Sequence, residues 1–513
     1  MQNSQTGSEE YVFSQVENLL NVGIALTAEK DHNRLLEMIV SEARNITNSD
    51  AGTLYLRQND QLVFKIVQTE SQNVFLGGSG EEVKLPPVAL VESNVSAYVA
   101  LTGKTVNIAD VYFAEGFDFS GPRNYDRITG YRTKSMLVVP LEDHEGEIIG
   151  VLQLINSLES DNRTVRVFPA HYQKVIESLA SQAAIALTNA QLLRDIENLF
   201  NSFVQVMATA IDARTPYNAN HTRRVAMLAR ATAEAINAVH EGPLAQEYFS
   251  SERLEQLTMA GWLHDIGKVT TPLSVMNKAT RLEGRIDIVL QRMDFISQSE
   301  KMNSLARQVE LLKKGMPEEA EREILLSAER LVKIKEIKEL IVKCDNPATF
   351  IDDQLLEQLR EAAGRKYLDP EGVEKPYLSP AELECLCIRK GTLTDEERDI
   401  MEQHVEVTGK MLEKITFIKK LKDVPLFASM HHEFLDGNGY PNKLKNGTIP
   451  LEGRILSLVD IYDALTAGDR PYKKAIPWEE ALRILGFMVR EGKLDSELFN
   501  VFKEHRVWEK VCD

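Results

Sequence analysis

The chain has 513 residues, too many for one small domain, because domains usually hold about 100 to 200 residues. Its 43% hydrophobic and 27% charged residues are typical of folded domains and exclude a disordered or collagen-like chain. The 59 Lys and Arg residues against 77 Asp and Glu residues give a net charge of -18, which argues against binding to a nucleic-acid polymer or an anionic membrane.

The N-terminus and the cysteines indicate a reducing compartment. Residues 1–14 are predicted to be a tail that lacks the basic and apolar regions of a signal peptide, and no run of about 18 uncharged apolar residues occurs. We therefore expect a cytoplasmic protein without a membrane anchor. Free thiols are favoured over metal ligands, because no second pair matches Cys385 and Cys387. The four cysteines are Cys344, Cys385, Cys387 and Cys512.

Residues 15–190 alternate helical and strand patterns. Amphipathic stretches predict helices at 16–26 and 34–46, and a further helix is predicted over 96–101, ending at Gly103. Strand patterns occur at residues 51–57, 62–67, 135–141 and 148–154. The last two are joined by a short polar turn and predict an antiparallel hairpin. The first domain is therefore expected to be α+β, with an antiparallel sheet and flanking helices.

The text of this region resembles a GAF domain, above all in TGKTVNIADVY, KSMLVVPLEDHEGEIIGVLQLIN and ASQAAIALTNAQL. GAF domains that bind cyclic nucleotides carry an Asn-Lys, Phe, Asp-Glu signature. Asn156 and Phe168 match it, whereas Ser157 replaces the Lys, and Tyr172 and Gln173 replace the acidic pair. The departures favour a structural role for Asn156 and Phe168 at the sheet edge, and the resemblance leaves open an unknown small-molecule ligand.

The stretch 176–210 contains no Gly or Pro and is predicted to be a connecting signalling helix that overlaps both flanking domains. Its apolar residues recur at spacings of three and four: Leu179, Ala183, Ala186, Ala190, Leu193, Ile196, Phe200, Phe203, Met207 and Ala210. Such a heptad-like seam favours a parallel homodimer, although it also suits packing onto the chain's own domains.

Residues 200–513 are expected to form a helical domain with a helical insertion at about 283–388. The segment 285–365 is rich in charged residues with helical periodicity and is broken at KGMP, residues 314–317. It therefore predicts an antiparallel helical hairpin with a solvated charged face.

Five of the ten histidines form a series in which each is predicted on the inward side of an apolar helix or directly after one. They are His221, His264, His404, His431 and His432. Asp265 follows an apolar run that Gly267 can stop, and Asp460 shares a helix face with Asp463. Thr394 begins the helix of His404 in a capping box.

Burying so many imidazoles and carboxylates without partners is costly, whereas divalent metal ions neutralise the carboxylates and use the imidazole lone pairs. The mixed nitrogen and oxygen ligands favour a pair of Fe or Mn ions over structural zinc, with Mg, Ni, Co and Zn as alternatives.

Residues 264–268, HDIGK, and the string HHEFLDGNGYP at 431–441, followed by IPLEGRILSLVDIYDALT and DRPYKKA, resemble the HD-GYP branch of the HD-domain metal-dependent phosphohydrolases. The eleven-residue string is specific to that branch. Outside the insertion, the resemblance covers roughly residues 200 to 505. It implies an all-α catalytic domain with a dinuclear or trinuclear metal centre that hydrolyses cyclic di-GMP to linear pGpG and, in some members, to GMP.

The resemblance also implies residue roles. Its metal ligands fall on His221, His264, Asp265, His404, His431, His432 and Asp460. Asp265 would bridge two metals and act in catalysis with Lys268. Trinuclear members carry a Glu four residues before the first His, where this chain has Tyr217, so two metals are expected.

Further residues are expected around the metals. The implied substrate contacts are Lys268, Tyr440, Arg470 and Lys473. The stretch before Arg470 is one residue longer than the usual pattern. Glu433 and Asp463 are expected to orient imidazole or lysine side chains, and a turn at 436–439 to present Tyr440.

Asp265 and His404 are 139 residues apart, far more than the family needs, and the excess is the helical insertion. The flanks TTPLSVMNKATRL and CIRKGTLTDEER remain recognisable, so the insertion interrupts a loop and leaves the site intact. A lid, a dimer arm and a docking surface are all consistent with it.

The sequence predicts a homodimeric cyclic di-GMP phosphodiesterase regulated by a GAF sensor domain, with a diguanylate cyclase or another signalling protein as a further partner. One alternative is a phosphodiesterase for 3',3'-cyclic GMP-AMP or another nucleotide. The other is a catalytically weak scaffold that responds to cyclic di-GMP. The intact metal set favours an enzyme.

Overall fold

The structure is a computed structural model that describes residues 20–29, 31–161, 163–214, 220–468 and 475–511. It divides into two compact units, Met1–Phe200 and Asn201–Asp513. Tyr217, Arg470 and Lys473 lie outside the described residues, as do Cys512 and the predicted tail. Every helix within the described ranges is too short or too polar to act as a membrane span.

The first unit is built on an eight-stranded antiparallel sheet. Its strands are β1 (Ser49–Gln58), β2 (Gln61–Thr69), β3 (Val74–Gly77), β4 (Val88–Ala89), β5 (Val106–Ile108), β6 (Met136–Glu142), β7 (Ile148–Leu158) and β8 (Val165–Arg166). The order is β3-β2-β1-β7-β6-β5, with β4 on β2 and β8 on β7. The four strands predicted from the sequence are confirmed as β1, β2, β6 and β7.

Helices cover both faces of this sheet. They are α1 (residues 20–28), α2 (His32–Thr47), α3 (Val95–Thr102), α4 (Ser120–Thr129) and α5 (Ala170–Asp212). Because side chains alternate along a strand, Leu54 of β1 packs with Ile39 and Leu179 in one core, and Tyr55 packs with Val99 in the other. The α+β fold with flanking helices is therefore confirmed, and α5 contains the whole stretch 176–210.

Asn156 and Phe168 both serve the structure of the sheet edge. The Asn156 side chain accepts the N–H of Lys134 at 2.8 Å and donates to the carbonyl oxygen of Arg132 at 2.8 Å. Phe168 is buried in the core that includes Ile39. Their contacts match the structural role expected from the departures in the cyclic-nucleotide signature.

The second unit is mainly helical. Its helices are α6 (His221–Ile236), α7 (Ser251–Leu263), α8 (Leu273–Met276), α9 (Ile286–Lys313), α10 (Pro317–Asp345), α11 (Asp353–Gly364), α12 (Pro380–Leu386), α13 (Asp395–Leu412), α14 (Val424–Ala428), α15 (Leu451–Thr466), α16 (Trp478–Arg490) and α17 (Ser496–Glu504). One correction applies to the all-α prediction: β9 (Lys366–Leu368) and β10 (Glu374–Pro376) form an antiparallel pair. Asp369 stabilises the turn between them by accepting the N–H of Val373 at 2.8 Å.

The insertion folds around a hydrophobic core of its own, which includes Met293, Ile337 and Leu359. Its helices α9 and α10 form the predicted hairpin, and the chain turns between them at residues 314–316. The hairpin is extended by α11, the β9–β10 pair and α12, so the insertion is larger than the hairpin predicted from the sequence.

Arg281 holds the two ends of the insertion together. This residue is fully buried, and its guanidinium donates to the main-chain carbonyl oxygens of Cys344, Asn346, Thr349 and Ile388 at 2.6 to 2.9 Å. The two ends of the insertion and the internal segment between α10 and α11 therefore meet at one side chain.

Candidate metal centre

A close helix contact brings the first two histidine segments together. α6 begins at His221 and packs on α7 at Gly261, where a Cβ atom would lie 2.7 Å from the Cα atom of Ala226. His264 and Asp265 follow the last turn of α7. The small residues therefore allow His221 Nε2 to lie 3.5 Å from Asp265 Oδ2.

The prediction that Gly267 ends the helix is wrong. α7 already ends at Leu263, and Gly267 lies inside a 3₁₀ segment, Ile266–Thr270. A Cβ atom at Gly267 would clash with the main-chain oxygen of His404 and lie 2.7 Å from the nitrogen of Thr408. Gly267 is therefore required by the close approach of this segment to α13.

α13 supplies His404 and is tied directly to the His-Asp pair. The helix begins with the predicted capping box at Thr394. One turn after His404, the Thr408 hydroxyl accepts the N–H of Gly267 at 3.0 Å and donates to the His264 carbonyl oxygen at 3.0 Å. A single buried hydroxyl thus fixes the position of His264 relative to α13.

The remaining predicted ligands complete one cluster. His431 and His432 follow α14, and Asp460 lies on α15. His431 Nε2 is 3.4 Å from His404 Nε2, and His432 Nδ1 is 4.0 Å from Asp460 Oδ2. Only the side chain of His432 is appreciably exposed, at 22%. All seven residues predicted as ligands therefore come together.

The Asp265 carboxylate lies between two pairs of imidazoles. Its Oδ2 atom is 3.5 Å from His221 Nε2 and 3.3 Å from His264 Nε2. Its Oδ1 atom is 3.3 Å from His404 Nε2 and 3.8 Å from His431 Nε2. Each oxygen faces a separate pair, an arrangement suited to a carboxylate that bridges two cations.

In three of the histidines, a hydrogen bond at Nδ1 determines which ring nitrogen carries the proton. The Nδ1 atoms of His264, His404 and His431 lie 2.5 to 2.8 Å from main-chain carbonyl oxygens three residues earlier in the chain. Because a carbonyl oxygen only accepts, each Nδ1 carries a proton, so that the neutral form of each ring has its lone pair on the Nε2 atom that faces Asp265. A lone pair and a carboxylate repel each other unless a cation lies between them.

The pKa values agree with this electrostatic picture. Burial, reinforced by the neighbouring imidazoles, holds the pKa of His431 well below its usual range, and burial lowers the pKa of His432 to about 4. Both rings are therefore neutral at neutral pH and able to offer a lone pair to a cation. Burial also lowers the pKa of His221, but the carboxylates of Asp265 and Asp460 outweigh burial and raise that pKa well above its usual value. The carboxylates around His221 therefore favour a positive charge at this position.

Two buried atoms test whether metal ions fit. His264 Nε2 and Asp265 Oδ1 are shielded from solvent, and neither has a hydrogen-bond partner among the described residues. Unpaired buried polar atoms are costly, and a metal ion would use both as ligands. The donors form two groups of three that could each hold a metal ion: His221, His264 and Asp265, and His404, His431 and His432. The residues present therefore fit metal ions.

Lys268 and Tyr440 lie beside the cluster. Lys268 Nζ is 2.5 Å from Asp265 Oδ2, and its side chain is 19% exposed. Burial raises the pKa of Asp265, but the positive charge of Lys268 holds it well below the usual range. The Tyr440 ring lies 4.7 Å from the His432 ring, with an angle of 33° between the planes.

Glu433 has a different role from the one predicted. Its carboxylate accepts hydrogen bonds from the main-chain N–H groups of Asn442 and Leu444 at 2.6 and 2.8 Å. Among the described residues, no imidazole or lysine side chain donates a hydrogen bond to it. Glu433 therefore fixes the loop that follows Tyr440, because a buried carboxylate is best satisfied by the nearest free N–H groups.

Comparison with family models matches residues 31–187 to the GAF domain. Residues 218–346 and 377–498 match two models described as the HD domain. The chain combines a GAF domain with an HD domain. The resemblance found in the sequence is confirmed, and the HD domain contains the whole cluster around Asp265.

Three curated relatives illustrate the similarity. A cyclic di-GMP phosphodiesterase of Vibrio cholerae is 29% identical over 159 residues, 30% of this chain and 30% of the relative. A cyclic di-GMP phosphodiesterase of Thermotoga maritima is 39% identical over 111 residues, 22% of this chain and 29% of the relative. The 3'3'-cGAMP-specific phosphodiesterase 3 of Vibrio cholerae is 35% identical over 116 residues, 23% of this chain and 24% of the relative. The chain spans less than a third of the length of these relatives.

The sequence did not indicate two arginines that support the HD domain. Arg224 donates to both carboxylate oxygens of Asp463, and Arg214 donates to the carbonyl oxygens of Lys268 and Thr271 at 2.8 and 3.3 Å. Arg224 lies three residues after His221 on α6, so the sequence spacing alone places both side chains on one face of the helix. Arg214 contacts residues 54 or more positions away, which no local pattern reveals.

Asp463→Ala is expected to lower metal affinity in the HD domain by about 10- to 100-fold, the usual effect of losing the partner of a ligating imidazole. Asp463 Oδ2 accepts the Nδ1–H of His221 at 2.7 Å and so fixes the orientation of that ring. Equilibrium dialysis against Mn(II) measures the change.

Asp495→Ala is the matched control, because Asp495 also pairs with an arginine, Arg454, at 3.0 Å. The control is expected to keep the affinity for Mn(II). Equal losses in both variants would mean that Asp463 acts only through general stability.

Gly267→Ala is expected to lower the free energy of unfolding by about 1 to 3 kcal/mol, the usual cost of overpacking, and to abolish hydrolysis of cyclic di-GMP, the activity proposed for this cluster. The added Cβ would push the main chain of His404 away from Asp265. Urea denaturation and product formation measure the two effects. Gly364→Ala is the control, since a Cβ there meets no atom within 4 Å. Wild-type activity in Gly267→Ala would contradict the close approach of the two segments.

Proposed function

We propose that this protein is a metal-dependent phosphodiesterase that hydrolyses cyclic di-GMP to pGpG, with GMP as a further product, under the control of its GAF domain. The observation that carries the proposal is the Asp265 carboxylate, each oxygen of which faces a different pair of imidazole nitrogens. The names of the cyclic di-GMP phosphodiesterases of Vibrio cholerae and Thermotoga maritima support the substrate.

Two divalent ions are proposed to bind at this cluster. The proposed ligands are His221, His264, Asp265, His404, His431, His432 and Asp460. Nitrogen and carboxylate ligands suit Fe or Mn, and they are compatible with Mg, Ni, Co or Zn. When bound, such ions polarise phosphoryl oxygens and lower the pKa of water. Asp265 would be the ligand shared by both ions, because one of its oxygens faces His221 and His264 and the other faces His404 and His431.

Lys268 is proposed to stabilise charge on the phosphodiester and to assist departure of the 3′ oxygen. Its ammonium group is held 2.5 Å from Asp265 Oδ2 while part of the side chain remains exposed, so it can contact a phosphate that lies over the cluster. Lys268 therefore places a positive charge where negative charge develops during hydrolysis.

Tyr440 is proposed to contact the substrate base or phosphate beside His432. Burial, together with the charges of Glu402, Asp460 and Asp265, raises the pKa of Tyr440 far above its usual value. Its hydroxyl therefore stays protonated and can donate a hydrogen bond. The predicted phosphate contacts of Arg470 and Lys473 fall outside the described residues and stay predictions.

A homodimer formed through α5 is proposed as the regulatory assembly. Apolar side chains of α5 remain exposed at spacings of three and four, as a paired helix requires. They include Leu193, Ile196, Leu199 and Phe203, with exposed fractions of 58 to 71%. The sensing role of the GAF domain, the domain boundaries, a diguanylate cyclase partner and a cytoplasmic location stay predictions.

The mixed dinucleotide 3',3'-cyclic GMP-AMP is the second candidate substrate, supported by the name of the third relative. Lys268 and the histidine cluster act on a phosphodiester, which both dinucleotides contain, so these residues do not distinguish the bases.

The test is turnover by the full chain, purified anaerobically with Fe(II) or Mn(II), with chromatographic identification of products. Cyclic di-GMP, 3',3'-cyclic GMP-AMP and pGpG are assayed separately. Conversion of cyclic di-GMP to pGpG, with a higher kcat/KM than for the mixed dinucleotide, supports the proposal. A preference for the mixed dinucleotide moves the assignment to that substrate. Tight binding without turnover of either would contradict hydrolysis and favour the scaffold.

A further inference from the structure

A cavity of about 390 Å³ lies in the GAF domain, on the sheet face covered by α2 and α5. Its polar lining comes from separate elements and includes His32 of α2, Arg57 and Lys65 of the β1–β2 hairpin, and Arg194 of α5. Asn156 and Phe168, the residues that match the cyclic-nucleotide signature, do not line it. The cavity is therefore distinct from the position which that signature marks.

Positive charge is concentrated around this cavity, although the whole chain carries a net charge of -18. Within the described part of the chain, Arg57, Lys65 and Arg194 form no ion pair. The one acidic lining residue is Asp143, whose carboxylate accepts the N–H groups of two residues in its own turn at 2.9 and 3.0 Å. Three cations therefore surround the cavity with a single carboxylate that already stabilises a turn.

Three residues that line the cavity carry polar atoms without partners among the described residues. His32 Nδ1, Thr188 Oγ1 and Arg194 Nε are shielded from solvent and have no hydrogen-bond partner among the described residues. All three residues line the cavity, and all three atoms can donate a hydrogen bond. Leaving buried donors unpaired is costly, and an acceptor with several oxygen atoms would satisfy all three.

Burial and the positive charges of Arg194 and Lys65 lower the pKa of His32, which means that both cations act on the same ring. Apolar side chains complete the lining: Leu56, Ile149, Leu187 and Leu192. The cavity thus combines a cationic, donor-rich part with an apolar part.

We propose that this cavity binds a small phosphorylated molecule. Its phosphoryl group would accept hydrogen bonds from Arg194, Thr188 and His32 and be neutralised by Lys65 and Arg57, while an apolar portion packs on the leucine side chains. A phosphoryl group suits these donors better than a carboxylate does, because it offers at least three acceptor oxygens to groups that come from different elements. Thr188 and Arg194 both lie on α5, so this ligand would contact the helix that continues to Asp212.

The test is isothermal titration of the full chain with phenyl phosphate after metal removal by a chelator. Phenyl phosphate presents both a phosphoryl group and an apolar ring, and inorganic phosphate and benzoate separate the two contributions. We expect one binding site per chain for phenyl phosphate, with weaker binding of inorganic phosphate and little binding of benzoate.

The double variant Lys65→Gln with Arg194→Gln is expected to weaken phenyl phosphate binding by at least about tenfold. Thr188→Val is a milder second variant with a smaller expected loss. The matched control is Lys84→Gln with Arg163→Gln, which removes the same charge from exposed positions outside the cavity. Unchanged circular dichroism spectra and thermal midpoints check that each variant is folded.

The proposal would be overturned by no binding to the wild-type chain, by an equal loss in the control pair, or by unchanged binding in the Lys65 and Arg194 variant. Asp265→Asn is expected to keep this binding. Its loss in that variant would assign the phosphate site to the HD domain instead and would also overturn the proposal.

Discussion

Asp265→Asn is expected to lower kcat by more than about 100-fold and to reduce the number of bound metal ions. Loss of a partner of a metal ligand already costs about 10- to 100-fold, and Asp265 is proposed as a ligand shared by both ions. The introduced amide has only one oxygen, while the two Asp265 oxygens face His221 and His264 on one side and His404 and His431 on the other. Product chromatography and elemental analysis measure both effects.

The metal-free form of this variant should remain folded. An amide N–H in place of one oxygen would donate to an imidazole lone pair that the carboxylate repels, which offsets part of the lost ion pair with Lys268, so the thermal midpoint without metal should fall only slightly. Asp399→Asn, at an exposed position on the same unit, is the control and should keep full activity. Normal turnover with two ions bound in Asp265→Asn would contradict the bridging role.

Arg281→Met is expected to unfold the insertion locally and to lower its stability by at least about 3 kcal/mol. Hydrogen bonds to a charged group contribute about 1.5 to 3 kcal/mol each, and water that enters the site recovers part of the loss of four such bonds. The carbonyl oxygens of Cys344, Asn346, Thr349 and Ile388 would lose their common donor. Hydrogen exchange measured by mass spectrometry should show faster exchange in residues 283–388.

Arg285→Met is the matched control, because Arg285 is exposed and only four residues away. It should leave the exchange rates unchanged. Equal exchange in Arg281→Met and the wild-type chain would mean that the hydrophobic core of the insertion holds its ends together without the guanidinium.

The sequence predicted the parts of this site that depend on local pattern. The capping box at Thr394, the inward position of His404 and the hairpin break predicted at residues 314–317 follow from spacings within one or two helical turns. The seven histidine and aspartate residues could be grouped because burying them separately would be costly. In the structure, these residues lie together around Asp265, as this argument predicts.

The parts that could not be predicted depend on contacts between distant segments. Gly267 was interpreted as a helix stop, whereas its lack of a side chain serves a contact with α13, which lies beyond the insertion. Glu433 was expected to orient a ligand but satisfies two N–H groups of the following loop. α4 was missed because its sequence is polar and buries only Asp126, so it has no apolar stripe to recognise.

The insertion was also only partly predictable. The charged periodicity of α9 and α10 indicated a hairpin, but the short strands β9 and β10 lack alternating apolar residues and are stabilised by Asp369 in their turn. Strands of three residues are too short to produce a recognisable pattern.

The most direct test of the proposed hydrolase is the metal content of the active chain. Elemental analysis of the full chain, purified anaerobically and assayed with cyclic di-GMP, should give about two Fe or Mn ions per chain, as a two-metal phosphodiesterase requires. Removal of the ions with a chelator should abolish turnover, and Mn(II) should restore it. Full turnover by a chain without bound metal would contradict the proposal.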